Sequence, residues 1–110
     1  MDRLFVYGTL APGQVNHDVF EGIPGSWEAA TLTGRLVDAG WGSEMGCPGI
    51  VPSTDGEEVA GFVFASDRLS ELWSMLDDFE GGEYSRKLVK VRDEHGIYID
   101  AYVYALNLTA

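Results

Sequence analysis

The 110 residues hold one cysteine, two histidines, four prolines and seven basic side chains against 18 acidic ones. Each scarcity excludes something. A lone Cys47 rules out an internal disulfide and fits a reducing compartment, most simply the cytoplasm. His17 and His95 lie far apart, without cysteine or carboxylate at metal-ligand spacing, and no Ser/His/Asp or Cys/His nucleophile set forms around them, so no metal is expected. A formal net charge of −11 repels phosphate backbones and anionic lipid surfaces, which leaves no nucleic acid and no membrane among the expected partners. The longest unbroken apolar run is Ala101 to Leu106, far short of the roughly 20 residues of a membrane-spanning helix. Met1-Asp2-Arg3 followed by four apolar residues does not read as a signal peptide, so a soluble, unexported protein is expected. Only Lys87 and Lys90 are lysines, a balance that a salt-rich host would also select.

What is present is core material and turns. Apolar types make up 45% of the chain, with three Trp, five Tyr and five Phe, which places it among globular proteins and predicts one domain over residues 1–110. No repeat, linker or like-charge block marks a boundary. Leu4 to Tyr7 is a β-favouring run that stops at Gly8, and Ala11-Pro12-Gly13 supplies a turn. A short helix is expected from Gln14 to Phe20, a strand over 27–37 broken or bulged at Gly34, and a loop from Asp38 to Gly49. Pro48 to Pro52 reads as extended and Gly56 to Ala65 as the next strand. Ser66 or Asp67 is then expected to cap a helix whose Leu69, Leu72, Trp73, Leu76 and Phe79 form one apolar stripe, ended by Gly81-Gly82. Tyr84 to Arg92 and Ile97 to Leu106 alternate about Asp93 to Gly96 as a hairpin. Large side chains on both faces of its second strand call for a sheet that curls or is covered. The fold class expected from the residues is therefore α+β, built around a small, mostly antiparallel sheet that can close on itself, its corners turned by 14 glycines.

Two constellations offer chemistry. Phe5 to Leu10 is a strand running into a glycine-containing loop, whose backbone N–H groups can converge on a carboxylate or oxyanion. Glu80 stands where the helix gives out, after Phe79 and before two glycines, and a carboxylate sheltered there would have a raised pKa suited to moving protons near neutrality. Each also has a plain reading, an ordinary turn and a solvated helix end. Asp77, Asp78 and Glu83 lack calcium-loop spacing and read as the wet face of the helix. Arg86, Lys87, Lys90 and Arg92 neutralise their acidic neighbours or help to attract an anionic ligand. Cys47 reads as a small packed residue.

Read together and in order, Phe5-Val6-Tyr7-Gly8-Thr9-Leu10, Pro48 to Pro52, Val59 to Phe64, Leu76-Asp77-Asp78-Phe79-Glu80-Gly81 with Tyr84-Ser85-Arg86, and Ala101 to Tyr104 resemble the γ-glutamylcyclotransferase-like family, which includes γ-glutamylamine cyclotransferases and avirulence-induced-gene-like proteins. The resemblance implies a small β-barrel with flanking helices and a cavity between the Tyr-Gly-Thr-Leu loop and the acidic helix end. It implies conversion of a γ-glutamyl amine or peptide to 5-oxoproline and free amine without a cofactor, with Glu80 as general acid and base. By the same resemblance Tyr7, Gly8, Thr9 and Leu10 bind the substrate, and Tyr84 or Tyr104 lines the pocket. The small-molecule γ-glutamyl substrate would be the partner, with the chain a monomer or homodimer. A non-catalytic module binding a small carboxylate in the same cavity is the alternative.

Overall fold

A computed structural model describes residues 2–7, 20, 22–37, 49–53, 55–82 and 84–106, with Phe79 and Glu80 described through their backbone. Six strands and one helix lie among them: β1 (Asp2–Val6), β2 (Ser26–Val37), β3 (Gly49–Pro52), β4 (Glu57–Ser66), α1 (Leu69–Glu80), β5 (Tyr84–Asp93) and β6 (Tyr98–Leu106). The expected short helix over 14–20 and the loop from Asp38 to Gly49 fall outside the described residues, apart from Phe20 and from Gly49, which opens β3 instead of ending the loop. No described helix is long and apolar enough to cross a membrane.

The strands form one mixed sheet in the order β3-β2-β4-β1-β6-β5, and β5 returns to β2 through Ala30↔Asp93 and Thr31↔Arg92, which closes a five-stranded barrel with β3 as an extra strand on β2. All pairings are antiparallel except β1 with β6, where Leu4 faces Tyr102 and Phe5 faces Val103. Closure leaves each of the five barrel strands a partner on both sides, and the remaining edge is the four-residue β3. β2 is long enough to serve three neighbours, pairing with β4 from Ser26 to Gly34, with β5 at Ala30 and Thr31 and with β3 from Gly34 to Val37. It runs unbroken through Gly34, where an added Cβ would lie 2.8 Å from the Val51 carbonyl oxygen. The glycine admits a close neighbour strand instead of interrupting its own.

Alternation along each strand divides the apolar residues into two layers. Phe5, Ala30, Leu32, Ile50, Val59, Val63, Val91, Ala101, Val103 and Ala105 fill the barrel. The opposite faces of β1, β4 and β6 send Leu4, Val6, Phe64 and Tyr104 outward to meet Phe20 and the Leu69 and Leu76 of α1, ringed by Trp27, Phe62, Leu72, Trp73, Tyr84 and Tyr102. The two-sided pattern of β6 has this origin: its alanines and Val103 are interior, while Tyr102 and Tyr104 lie beneath the helix. The helix starts differently from expectation. Arg68 occupies the N-cap position without a side-chain cap, and the Ser66 hydroxyl, buried at the end of β4, accepts the Arg68 N–H while donating to the Pro24 carbonyl. Ser66 thus ties the turn into the helix to the start of β2.

Candidate active site

Helix α1 ends at Glu80 because Gly81 takes φ 78° and ψ −173°, a conformation essentially reserved for glycine, while its N–H still closes on the Asp77 carbonyl at 3.0 Å. The chain turns sharply there and enters β5, with the Tyr84 N–H 3.4 Å from the Gly81 carbonyl. Between helix end and strand lies a cavity of about 410 Å³ lined by Asp77, Gly81, Tyr84, Ser85, Arg86 and Tyr104. Its construction follows from periodicity. Asp77 lies one helical turn beyond Trp73 of the apolar stripe, Tyr84 and Arg86 share a face of β5, and Arg86 stands opposite Tyr104 in the β5–β6 register.

The polar groups at the wall form a short chain. The Tyr104 hydroxyl donates to Asp77 Oδ1 at 2.7 Å, and Arg86 Nη1 lies 3.6 Å from the same oxygen. The Arg86 guanidinium rests on the Trp73 ring, 4.4 Å from its centroid, and 5.7 Å from that of Tyr102, so its plane is fixed by aromatic surfaces. On the other side of Tyr104, its backbone carbonyl accepts the Tyr7 hydroxyl at 2.9 Å, and the same hydroxyl accepts the Ile50 N–H at 3.0 Å. One phenol therefore clasps the exit of β1 to β6 and to β3.

Of the residues expected to act, Tyr84 and Tyr104 line this cavity, whereas Tyr7 packs against the barrel interior and lines a different cavity, joined to this one only by its hydrogen bond to the Tyr104 carbonyl. The Glu80 backbone adjoins the cavity through Gly81, whereas the Glu80 side chain and Gly8, Thr9 and Leu10 lie outside the described residues, as does Cys47. Asp77 was expected on the solvated face of the helix; it is half exposed, but it turns toward Tyr104 and Arg86. The signal was its spacing from Trp73. A second cavity of about 430 Å³, bounded by Tyr7, Ala29 to Thr31, Ala60 to Phe62 and Arg92 to Glu94, lies against the β2–β5 closure. At the surface, the fold brings ligand atoms of Glu28, Glu94 and His95 within 4.8 Å of one another, a juxtaposition of β2 with the β5–β6 turn that local spacing does not reveal.

Comparison with known proteins places this architecture. The family model described as gamma-glutamyl cyclotransferase, AIG2-like, matches residues 4–109. Among solved structures, YkqA from Bacillus subtilis is 30% identical with a TM-score of 0.73, the match covering 98% of this chain but only 36% of that one. An AIG2-like protein from Mus musculus is 27% identical with a TM-score of 0.73, covering 100% of this chain and 80% of that one. A structure described as a gamma-glutamyl cyclotransferase shares the fold at 22% identity and a TM-score of 0.66, over 96% of this chain and 66% of that one. Among curated protein sequences no match is found. A family match across nearly the entire chain, together with the closed barrel and its single described helix, settles the kinship: this protein belongs to the AIG2-like gamma-glutamyl cyclotransferase family.

Proposed function

We propose that the chain is a cyclotransferase that converts a γ-glutamyl amine or peptide to 5-oxoproline and the free amine, with Glu80 as general base and then general acid. The observation that supports this reading is the cavity beginning at Gly81, the residue after Glu80, and bounded by aromatic and polar side chains linked through Tyr104 to the exit of β1. Family membership supports the same chemistry.

The reaction asks little beyond proton transfer and confinement. A substrate α-ammonium group, with a pKa near 8, cannot attack its own γ-carbonyl until it loses a proton. The Glu80 carboxylate takes that proton, and the freed amine adds to the γ-carbon to close a five-membered ring. The bond from that carbon to the leaving nitrogen then breaks as protons return to it. The ring nitrogen keeps one hydrogen, the released amine ends as an ammonium ion, and the carboxylate ends as it began. Because nucleophile and electrophile belong to one molecule, holding the curled conformer supplies much of the rate. Backbone N–H groups of Gly8, Thr9 and Leu10 would hold the substrate α-carboxylate, Tyr84 would bound the pocket, and Tyr7 would anchor the β1 exit from which that loop departs.

The test is Glu80→Gln, which keeps size and removes the base. Formation of 5-oxoproline from a panel of γ-glutamyl amines and peptides should fall by about 10²- to 10⁴-fold, with an unchanged circular dichroism spectrum. Retained turnover in a folded variant rejects the assignment.

A further inference from the structure

The closure of the barrel gathers a mixed set of donors. One imidazole nitrogen of His95 and carboxylate oxygens of Glu28 and Glu94 lie within 4.8 Å of one another. Glu28 stands opposite Val63 and two positions before Ala30, so it extends the inward-facing row of β2 past Ala30 and is itself half-buried. Glu94 and His95 follow Asp93 directly, in the exposed turn from β5 to β6. The two pairs that close the barrel, Ala30↔Asp93 and Thr31↔Arg92, therefore adjoin all three residues. Asp93 fixes the turn, its Oδ1 accepting the His95 and Ile97 N–H groups at 2.9 Å each. Among the described residues, no hydrogen bond or ion pair engages the three side chains, and the neighbouring Arg92 lies 3.6 Å from Glu58. Two carboxylates brought this close, in a chain of net charge −11, repel each other and attract a cation.

The imidazole decides which cation. Ca²⁺ and Mg²⁺ take oxygen ligands, whereas one imidazole nitrogen with two carboxylates suits a divalent first-row transition ion, and Zn²⁺ accepts such a set with water in the fourth position of a tetrahedron. Ligands bound at about 2.0–2.2 Å to one Zn²⁺ stand about 3.3 Å apart. Rotations of three side chains, two of them exposed, bring donors that start within 4.8 Å onto a single ion. We infer that Glu28, Glu94 and His95 bind one divalent transition-metal ion of the Zn²⁺ type, which clasps β2 to the β5–β6 turn beside the two pairs that close the barrel. The inference is independent of the proposed function. It departs from the expectation of no metal, which rested on spacing along the chain, because the β2–β5 register supplies the proximity. Glu94 also borders the cavity of about 430 Å³ at that closure, so the ion would lie at its rim.

The experiment titrates chelator-treated protein with ZnCl₂ by calorimetry, in the wild type, His95→Ala and Glu28→Gln, with Cys47→Ser and His17→Ala as controls for coordination elsewhere. The wild type should bind one Zn²⁺ per chain, His95→Ala and Glu28→Gln should each weaken binding by about tenfold or more, and the controls should leave it unchanged. MgCl₂ at the same concentrations should give no binding. Amide hydrogen exchange and thermal melting read the clasp: saturating Zn²⁺ should slow exchange over residues 28–31 and 92–95 and raise the Tm, and both effects should vanish in His95→Ala. Absence of Zn²⁺ binding in the wild type overturns the site, and so does binding that persists undiminished in His95→Ala and Glu28→Gln or is lost in a control. Equal affinity for Mg²⁺ overturns the choice of ion, and binding without slower exchange at the closure overturns the clasp. If Glu28→Gln does not fold, His95→Ala, a change in an exposed turn, decides alone.

Discussion

The barrel interior and the layer beneath α1 are both apolar, but they are made of different side chains. The buried residues of the interior are Phe5 and aliphatic side chains, which pack and offer no hydrogen-bonding tips, with Tyr7 at its edge the one polar-tipped ring packed against them among the described residues. The helix-facing layer is aromatic, and its rings carry polar ends outward: the Trp73 Nε1–H lies 3.3 Å from Asp2 Oδ2, the Tyr104 hydroxyl meets Asp77, and Arg86 stacks over Trp73. Aromatic residues bury a large area while leaving one edge chemically useful. The contrast assigns stability to one layer and the candidate site to the other.

Three substitutions test that division. The largest effect is expected for Phe5→Ala, which removes the one ring among the buried residues of the barrel interior. It should cost about 3–5 kcal/mol, read as a lower midpoint in urea denaturation, out of a typical total of about 5–15 kcal/mol. Tyr104→Phe should cost only about 1 kcal/mol, since the ring stays and one hydroxyl is lost. Turnover of a γ-glutamyl substrate should nevertheless fall by about tenfold, because Asp77 and Arg86 lose a fixed position. A large stability loss with undiminished turnover would reverse the assignment. The smallest effect is expected at the β3–β4 turn, where the Ser53 hydroxyl donates to the fully exposed Asp55 carboxylate and, with a backbone hydrogen bond, holds its pKa below the usual 3.8. A depressed carboxyl adds stability above its unfolded pKa and loses it as the pH falls through the folded value. Ser53→Ala should return the Asp55 titration, followed by NMR, toward 3.8 with turnover unchanged; a marked loss of turnover would extend the site beyond the helix-facing layer.

The barrel was legible because its strands are short, alternating and bounded by glycine, and because β6 carries bulky residues on both faces. The helix was legible from one apolar stripe. Closure through two residue pairs of β2 and β5 was not, since nothing local in Ala30-Thr31 or Arg92-Asp93 announces a partner some sixty residues away. Arg86 was only partly legible. With Lys87, Lys90 and Arg92 it was expected to neutralise acidic neighbours or to help attract an anionic ligand, and what sets it apart from them, its register against Tyr104 and its proximity to Trp73, exists once β5, β6 and α1 are assembled. Similarly, Tyr7 was expected at the substrate loop, while its phenol spans three strands in a way that no spacing encodes.

The parallel pairing of β1 with β6 has a consequence for biogenesis. Tyr7 and the carbonyl that receives it are 97 positions apart, and β1 lies between β4 and the last strand. Contacts so distant along the chain close late and slowly. As the polypeptide leaves the ribosome, β1 can join β4 but must wait for β6 before its second edge is covered. The cavity, walled in part by Tyr104 of β6, therefore exists only once that strand is in place, and no nascent fragment lacking β6 displays it.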